Sequence, residues 1–238
     1  MMEFSSKPIL GMIHLSGDES NRTKRALEEI EILETEGVDG IIVENYHGST
    51  SDVEKVLSEI EGNNSKLIVG LNILPNEYEQ AFRIANDFGA KFIQLDFVSG
   101  SYWNNKSIDE QHYFSIKNKY PNVIVLGGVW PKYYQPIKGS VLKDDIEIGM
   151  KRAEAIVVTG AGTGKETPFD KIVEFRELMG THPLIIGAGL TSSTVQKQLA
   201  VADGAIVGSA FKPYNITTQM IHKTLVKEFM DEVKKIRQ

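Results

Sequence analysis

The sequence predicts an α/β protein with the (β/α)8 barrel (TIM barrel) fold, and three observations indicate it. Short apolar runs alternate with amphipathic segments along the chain, which is typical of parallel strands joined by helices. Eight such pairs, at about 30 residues each, fit the 238-residue length. Glycine-rich turns gather after the last three runs, whereas an open doubly wound sheet, the alternative, places its glycine-rich turn after the first strand.

The first four predicted strands are 8–13, 38–43, 67–71 and 92–95. Each of the first three is followed by apolar residues at three- and four-residue spacing, as in an amphipathic helix. These positions are Ala26, Ile30 and Leu33, then Val53, Val56, Leu57 and Ile60, then Tyr78, Ala81, Phe82, Ala85 and Phe88. Gly37 and Gly89 are placed to end the first and third helices. A polar loop, 99–109, follows the fourth strand. It either covers a site or is a surface excursion whose Trp103 packs against the protein.

The last four predicted strands are 123–126, 155–158, 183–186 and 205–207. A final helix from about 217 to 236 carries an apolar stripe. The stripe either packs on the barrel wall or serves as a homodimer face, so a homo-oligomer is one of the two alternatives. The stripe consists of Ile221, Leu225, Phe229, Val233 and Ile236. Because no linker or low-complexity segment interrupts the chain, we expect one domain, 1–238.

Composition excludes several function classes. The formal net charge is −6 with no cluster of Lys or Arg, which argues against nucleic acid as the main partner. The absence of cysteine excludes disulfides, thiolate metal sites and a cysteine nucleophile. No signal sequence begins the chain and no apolar run approaches the roughly 20 residues that span a bilayer, so we expect a cytoplasmic protein with no membrane span.

Three glycine-rich turns, 159–164, 187–191 and 208–210, predict a phosphate site. Glycine lets the backbone approach a ligand closely, and amides at helix starts attract anions. Barrels frequently hold phosphate in the loops after strands seven and eight. The predicted phosphate-binding residues are Gly162, Gly164, Gly187, Gly189, Gly208 and Ser209. Alternatively, the glycines serve only close packing.

Three further features accompany these turns. Thr191-Ser-Ser193 is predicted to cap the helix that follows it, whether or not a ligand binds. Lys165 adds positive charge to the site if its loop folds inward. The turn 160–164 has the glycine content of a moving lid.

Polar residues stand where the predicted strands end, and in a barrel these side chains converge over the mouth. We expect Glu44 to act as a general base, and Asp96 or His14 as the acid. The residues expected to contact substrate are Asn45, Asn72, Gln94, Lys132 and Thr159. The alternatives are that the two carboxylates cap helices or pair with Lys132, and that His14 donates to a backbone carbonyl.

No spacing in the chain is typical of a metal centre. There is no HExxH motif, no Cys/His pairing and no carboxylate-rich calcium loop. We therefore predict no metal and no other cofactor, although Mg²⁺ accompanying a phosphate group stays open because it needs few protein ligands.

Five segments, in chain order, resemble the BtpA family of predicted TIM-barrel proteins. They are Gly11-Met-Ile-His14, Ile42-Val-Glu-Asn45, Gly70-Leu-Asn72, Val158-Thr-Gly-Ala-Gly-Thr-Gly164 and Ala202-Asp-Gly-Ala-Ile-Val-Gly-Ser209. The resemblance implies a barrel with a polar mouth, in a family linked to photosystem I biogenesis and to bacterial sugar metabolism. The last segment is also similar to phosphate-binding barrels such as phosphoribosylanthranilate isomerase and tryptophan synthase alpha. The isomerase has a cysteine near the end of its first strand, which this chain lacks.

The chain departs from the family pattern in three places. It reads Leu15-Ser-Gly-Asp-Glu19 in place of a proline-rich segment, His47-Gly48 where an Asp is usual, and Gly128 where another Asp is usual. Two function hypotheses follow. The chain is an isomerase, epimerase or lyase acting on a small phosphorylated, sugar-like compound, or it is a non-catalytic ligand-binding or assembly factor that has lost the reaction.

Overall fold

Consecutive strands pair in parallel in chain order, and the last strand pairs with the first, so the sheet closes into a barrel. The computed structural model describes residues 3–62 and 65–237. Within these ranges the strands are β1 Ile9–Ile13, β2 Gly40–Glu44, β3 Ile68–Asn72, β4 Phe92–Leu95, β5 Ile124–Gly128, β6 Ala155–Val158, β7 Leu184–Ile186 and β8 Gly204–Val207. The predicted barrel fold is thereby confirmed. The expected domain, 1–238, includes residues 1–2, 63–64 and 238, which lie outside the described part.

An α-helix follows each strand and lies outside the barrel. The helices are α1 Arg22–Thr35, α2 Thr50–Ile60, α3 Tyr78–Asp87, α4 Glu110–Lys119, α5 Leu142–Arg152, α6 Phe169–Met179, α7 Val195–Leu199 and α8 Lys223–Ile236. The bounds of β4 and β6 are as predicted, and those of the other strands differ by one or two residues. Glu44, Asn72 and Gly128 are the last residues of their strands, so the barrel itself fixes their backbone position.

Two apolar layers hold the architecture together. The barrel interior is filled by a cluster that consists of Leu10, Met12, Ile42, Phe92, Leu126, Ala155, Val157, Ile185 and Ile206. A larger cluster lies between the strands and the surrounding helices. Gly70 makes room for Phe92, because a Cβ atom at position 70 would lie 2.4 Å from its ring. Above this filled interior, a cavity opens where the strands end.

The last helix begins six residues later than the predicted start at 217. The segment before it is held by the barrel instead: the His222 amide donates to the Phe211 carbonyl at 2.8 Å. Of the predicted stripe, Ile221, Phe229 and Val233 are buried, while Leu225 and Ile236 are only half-buried. The apolar face of α8 packs against the body of the barrel.

Candidate functional site

A cavity of about 280 Å³ opens where the carboxyl ends of the strands meet, and residues at or after all eight strands line it. Its floor is apolar and includes Met12, Val157 and Ile206, while its wall carries polar and charged side chains. The size is that of a small-molecule site, since ligand pockets commonly measure about 300–1,000 Å³.

Glu44 ends β2 and faces this cavity with only 7% of its surface exposed. The Asn72 side-chain amide donates to Glu44 Oε1 at 2.8 Å. Burial, and secondarily the charge of Asp96, raise the pKa of Glu44 to about 7. A carboxyl group with that pKa is protonated in about half of the molecules at neutral pH, so it can both take and give a proton.

Asp96 directly follows β4 and faces the same cavity. The Tyr134 hydroxyl donates to Asp96 Oδ2 at 2.9 Å. Burial raises the pKa of Asp96, although Tyr134, Asn72 and nearby lysines favour its ionised form. Among the described residues, no ion pair within 4.0 Å joins either carboxylate to Lys132, and neither carboxylate caps a helix.

His14 directly follows β1 and is 3% exposed. Burial holds its pKa well below the usual range, and Lys212, His47 and Lys132 lower it further, so the imidazole is neutral at neutral pH. Its ring meets that of Tyr46 edge-on at 5.3 Å, and no described group bonds to its Nδ1 atom. Gly208 makes room for the ring, because a Cβ atom there would lie 2.7 Å from His14 Cε1.

The residues expected to contact substrate divide into two groups. Gln94, Lys132 and Thr159 line the cavity. Asn45 and Asn72 do not, and their amides support other groups instead: the Asn45 side chain bonds to the backbone of Leu74, and Asn72 bonds to Glu44. These two residues therefore hold the wall of the cavity in place.

Lys132 and Gln94, two residues of the cavity wall, differ in whether other side chains already hydrogen-bond to them. The Lys132 ammonium donates to Thr163 Oγ1 at 3.1 Å, and its backbone amide donates to Thr159 Oγ1 at 2.7 Å. No described group bonds to the buried Gln94 Oε1. Gln94 therefore lines the cavity with an amide oxygen that has no hydrogen-bond partner among the described residues.

The glycine-rich loops meet at one side of the cavity. Loop 6 (159–168), loop 7 (187–194) and loop 8 (208–222) follow β6, β7 and β8. The predicted phosphate residues Gly164, Gly187, Gly189, Gly208 and Ser209 line the cavity, whereas Gly162 does not.

Close backbone packing accounts for part of this glycine content. Gly189 has a φ of +74°, and a Cβ atom there would lie 2.2 Å from the Lys165 carbonyl oxygen. The Gly187 amide is taken by the Val158 carbonyl at 2.8 Å. Among the described hydrogen bonds, none uses the amide of Gly189 or Ser209. These two amides remain as donors at the cavity.

Two expectations about these loops need correction. The Lys165 side chain does not line the cavity; only its backbone packs against Gly189. Thr191-Ser-Ser193 does not cap α7, because the helix begins at Val195 after Thr194, and the Thr191 amide donates to Thr194 Oγ1. Within the turn 160–164, Thr163 bonds to Lys132 and Tyr133, and movement of this turn as a lid stays a prediction.

The structure adds cavity residues that sequence reasoning missed. Lys106, from the loop after β4, lines the cavity, while Trp103 of the same loop lies outside it and is 62% exposed. Tyr133 and Tyr134, from loop 5 (129–141), also line it. The run Pro131-Lys-Tyr-Tyr134 beside the predicted Lys132 was the available signal.

Gly128 explains one departure from the family pattern. A Cβ atom there would lie 1.9 Å from the Asp96 carbonyl oxygen, so no side chain fits on this backbone.

In the described part of the chain, no group of three or more His, Cys, Asp or Glu residues is arranged to hold a metal ion. None of the described helices is long and apolar enough to cross a membrane.

Comparisons with known proteins agree with this architecture. An uncharacterized protein from Thermococcus kodakarensis is 26% identical, over 100% of this chain and 99% of that protein. The photosystem I biogenesis protein BtpA from Synechocystis is 24% identical, over 94% of this chain and 87% of that protein. The solved phosphoribosyl anthranilate isomerase from Thermococcus kodakaraensis superposes with a TM-score of 0.65 at 14% identity, over 96% of this chain and 99% of that one, which shows the shared barrel fold. The profile of the BtpA family matches residues 5–235, and the chain belongs to that family.

Proposed function

We propose that the cavity binds a small phosphorylated, sugar-like metabolite and that the protein is an isomerase, epimerase or lyase acting on it. One observation carries the proposal: the buried Glu44 carboxyl group, with a pKa of about 7, faces the same cavity as Asp96, a second carboxyl group whose pKa is raised by burial. Carboxyl groups perturbed by burial in a cleft are typical of proton-transfer catalysts.

Loops 7 and 8 are the proposed phosphate-binding side. The free amides of Gly189 and Ser209 and the Ser209 hydroxyl stand at the cavity wall, and the cations Lys132 and Lys106 stand on the same cavity. Backbone amides beside nearby cations favour a phosphate dianion. A phosphate that does not react would anchor the substrate and leave its carbon chain over the carboxyl groups.

In this arrangement, Glu44 removes a proton from a carbon beside a carbonyl group and the electron pair moves onto the carbonyl oxygen. Asp96 or the neutral His14 imidazole then donates to that oxygen. Return of a proton to the opposite face of the same carbon gives epimerisation. Return to the former carbonyl carbon, with loss of the proton from the neighbouring hydroxyl group, gives isomerisation. A lyase would instead use Glu44 to take the hydroxyl proton as a carbon–carbon bond breaks and its electron pair passes to the carbonyl oxygen. Gln94 would orient a substrate hydroxyl with its free amide oxygen.

The test is incubation in D2O, in which epimerisation or isomerisation exchanges a carbon-bound proton and a lyase gives the signals of new products. A panel of phosphorylated aldoses, ketoses and sugar acids is incubated with the protein, and loss of C–H signal is followed by NMR. We expect one member to exchange, and Glu44→Gln to slow the exchange by at least about 100-fold. Glu177→Gln, an exposed change on α6, is the matched control and keeps the wild-type rate. An undiminished rate in Glu44→Gln would remove Glu44 from its proposed role.

A non-catalytic binding or assembly factor is the second candidate. Gly128 favours it, because this cavity-lining position has no room for the acidic side chain usual in the family. The Synechocystis relative is named for photosystem I biogenesis. This candidate predicts a phosphorylated ligand that raises the melting temperature and is recovered unchanged, with no deuterium incorporated.

A further inference from the structure

Tyr134 is a cavity residue that no sequence pattern identified, and its hydroxyl group makes the direct contact with Asp96. The side chain is held on several sides. Its ring packs against Phe97 at 5.0 Å and Tyr102 at 5.7 Å, and the Lys106 ammonium lies 4.8 Å above the ring centre. Tyr102 is itself anchored, donating to the Ser99 carbonyl at 2.8 Å and accepting from the Trp130 amide at 3.1 Å. The Tyr134 hydroxyl is therefore a fixed donor at a defined place.

The two carboxyl groups of the cavity have unequal surroundings. Glu44 is buried and accepts from the neutral amide of Asn72. Asn72 and Lys132 favour the ionised form of both carboxyl groups. Asp96 is only half-buried and has two further groups that favour its ionised form, the Tyr134 hydroxyl and Lys106. A phenol that stays protonated can only donate here, and such a bond is stronger when the acceptor is ionised. Negative charge is thus better supported on Asp96 than on Glu44.

We propose that Tyr134 is a positioning residue that fixes Asp96 as the anionic member of the pair, so that Glu44 is the group that takes up and releases a proton. Of the two candidate acids in the proposed function, His14 and not Asp96 then donates to the substrate oxygen. The inference deepens the proposed function and rests on it for its catalytic meaning. Burial, and then the Asp96 charge, raise the pKa of Tyr134, which keeps its hydroxyl protonated as the role requires. The other charged groups acting on the pair are Lys132 on both carboxyl groups and Lys106 on Asp96.

The inference is tested without a substrate, by NMR titration of carboxyl carbons in the full chain labelled at Asp Cγ and Glu Cδ. Glu44→Gln and Asp96→Asn assign the two signals. In the wild type we expect Glu44 to titrate at higher pH than Asp96. In Tyr134→Phe we expect the Asp96 midpoint to rise by about one pH unit, because one bond to its charged form is lost.

Tyr133→Phe is the matched control, because the Tyr133 hydroxyl lies on the same cavity but bonds to Thr163. It leaves both midpoints unchanged. Asp96→Asn gives a second reading, since it should lower the Glu44 midpoint even if Tyr134→Phe folds poorly. An Asp96 signal that titrates above Glu44 in the wild type, or does not move in a folded Tyr134→Phe, overturns the inference. The expected titrations in a protein that exchanges no panel member would retain the inference and remove the proposed function.

Discussion

Glu44 shows how one side chain can be both a reactive group and a cost to folding. Its carboxyl group would be ionised in the unfolded chain above a pKa of 4.5, whereas in the folded protein burial holds the proton up to about pH 7. Only Asn72 donates to it directly among the described groups. One neutral donor offsets little of the free-energy cost of burying a charged carboxylate. Such a cost to folding is common at sites where activity requires it.

A pH dependence of stability follows from this shift. The folded pKa is raised, so between pH 4.5 and about 7 the native state binds more protons than the unfolded state, and stability falls as pH rises. The full effect is about 3 kcal/mol at one pKa unit per 1.36 kcal/mol. We expect Glu44→Gln to be more stable than the wild type by up to about 3 kcal/mol at pH 8 and by far less at pH 5.

Urea unfolding of both proteins at pH 5 and pH 8 measures this difference. Glu177→Gln serves as the control, because the same chemical change on the exposed face of α6 should give no difference at either pH. A Glu44→Gln protein that is less stable than the wild type at pH 8 would contradict the proposed burial cost.

Loop 8 is the element that brings Gly208 and Ser209 to the cavity, and a buried cation holds it. The fully buried Lys212 ammonium donates to the Thr217 carbonyl at 3.0 Å and lies 3.7 Å from Glu29 Oε1 on α1. Glu29 also accepts from the Ile221 amide at 3.2 Å. Loop 8 is thus fastened to α1 by a charge pair removed from water.

Removing the cation should therefore be costly. Lys212→Met preserves the length of the side chain but leaves Glu29 buried with less compensation, and we expect a loss of about 3 kcal/mol in the free energy of unfolding. Lys223→Met is the comparison, because its ion pair with Glu36 involves an exposed ammonium and should be worth less than about 1 kcal/mol. Equal losses in the two variants, measured by chemical denaturation, would count against a buried anchor.

The elements also show what sequence patterns can reach. Strands buried on both faces appear as apolar runs, and parallel order brings their last residues together, so the pattern placed His14, Glu44 and Asp96 at one mouth. Lys106 and Tyr134 sit in long loops whose course depends on non-local pairing, such as the bridge of Tyr102 with Pro136. No local pattern encodes that bridge. The late start of α8 has a similar cause, since the bond from the His222 amide to the Phe211 carbonyl holds the preceding segment, whereas α7 starts late because of a local turn between Thr191 and Thr194.

At the scale of the whole molecule, the acidic side chains at the two ends of the barrel have different surroundings. At the amino ends of the strands, acidic side chains accept hydrogen bonds from backbone amides of the neighbouring strand. Asp39 accepts from Ile9 at 2.7 Å, Glu154 from Val125 at 2.7 Å, and Asp203 from Leu184 at 2.9 Å. At the carboxyl ends, carboxyl groups instead face an open cavity. This division matches barrels in general, where one face supports stability and the other supports chemistry.

The division predicts that stability and anion binding can be changed separately. Asp203→Asn weakens the bonds to Leu184 and Arg176 at the amino end, and we expect about 1–2 kcal/mol of destabilisation, or a fall of roughly 2–8 °C in Tm. Its affinity for inorganic phosphate should equal that of the wild type. Ser209→Ala should instead weaken phosphate binding and leave stability unchanged. No described group bonds to the Ser209 hydroxyl, which lines the proposed phosphate side.

Calorimetry measures both quantities on the same samples, with scanning runs for Tm and phosphate titrations for Kd. Ser209→Ala should raise Kd by about 10- to 150-fold, since one hydrogen bond to a charged group is worth about 1.5–3 kcal/mol, while Tm in the absence of phosphate changes little. If Kd instead rises in Asp203→Asn in step with its lost stability, the two ends are coupled and the cavity depends on the whole barrel. If neither variant nor the wild type binds phosphate, the anion site assigned to loops 7 and 8 is wrong, while the carboxyl pair at the other side of the cavity is untouched.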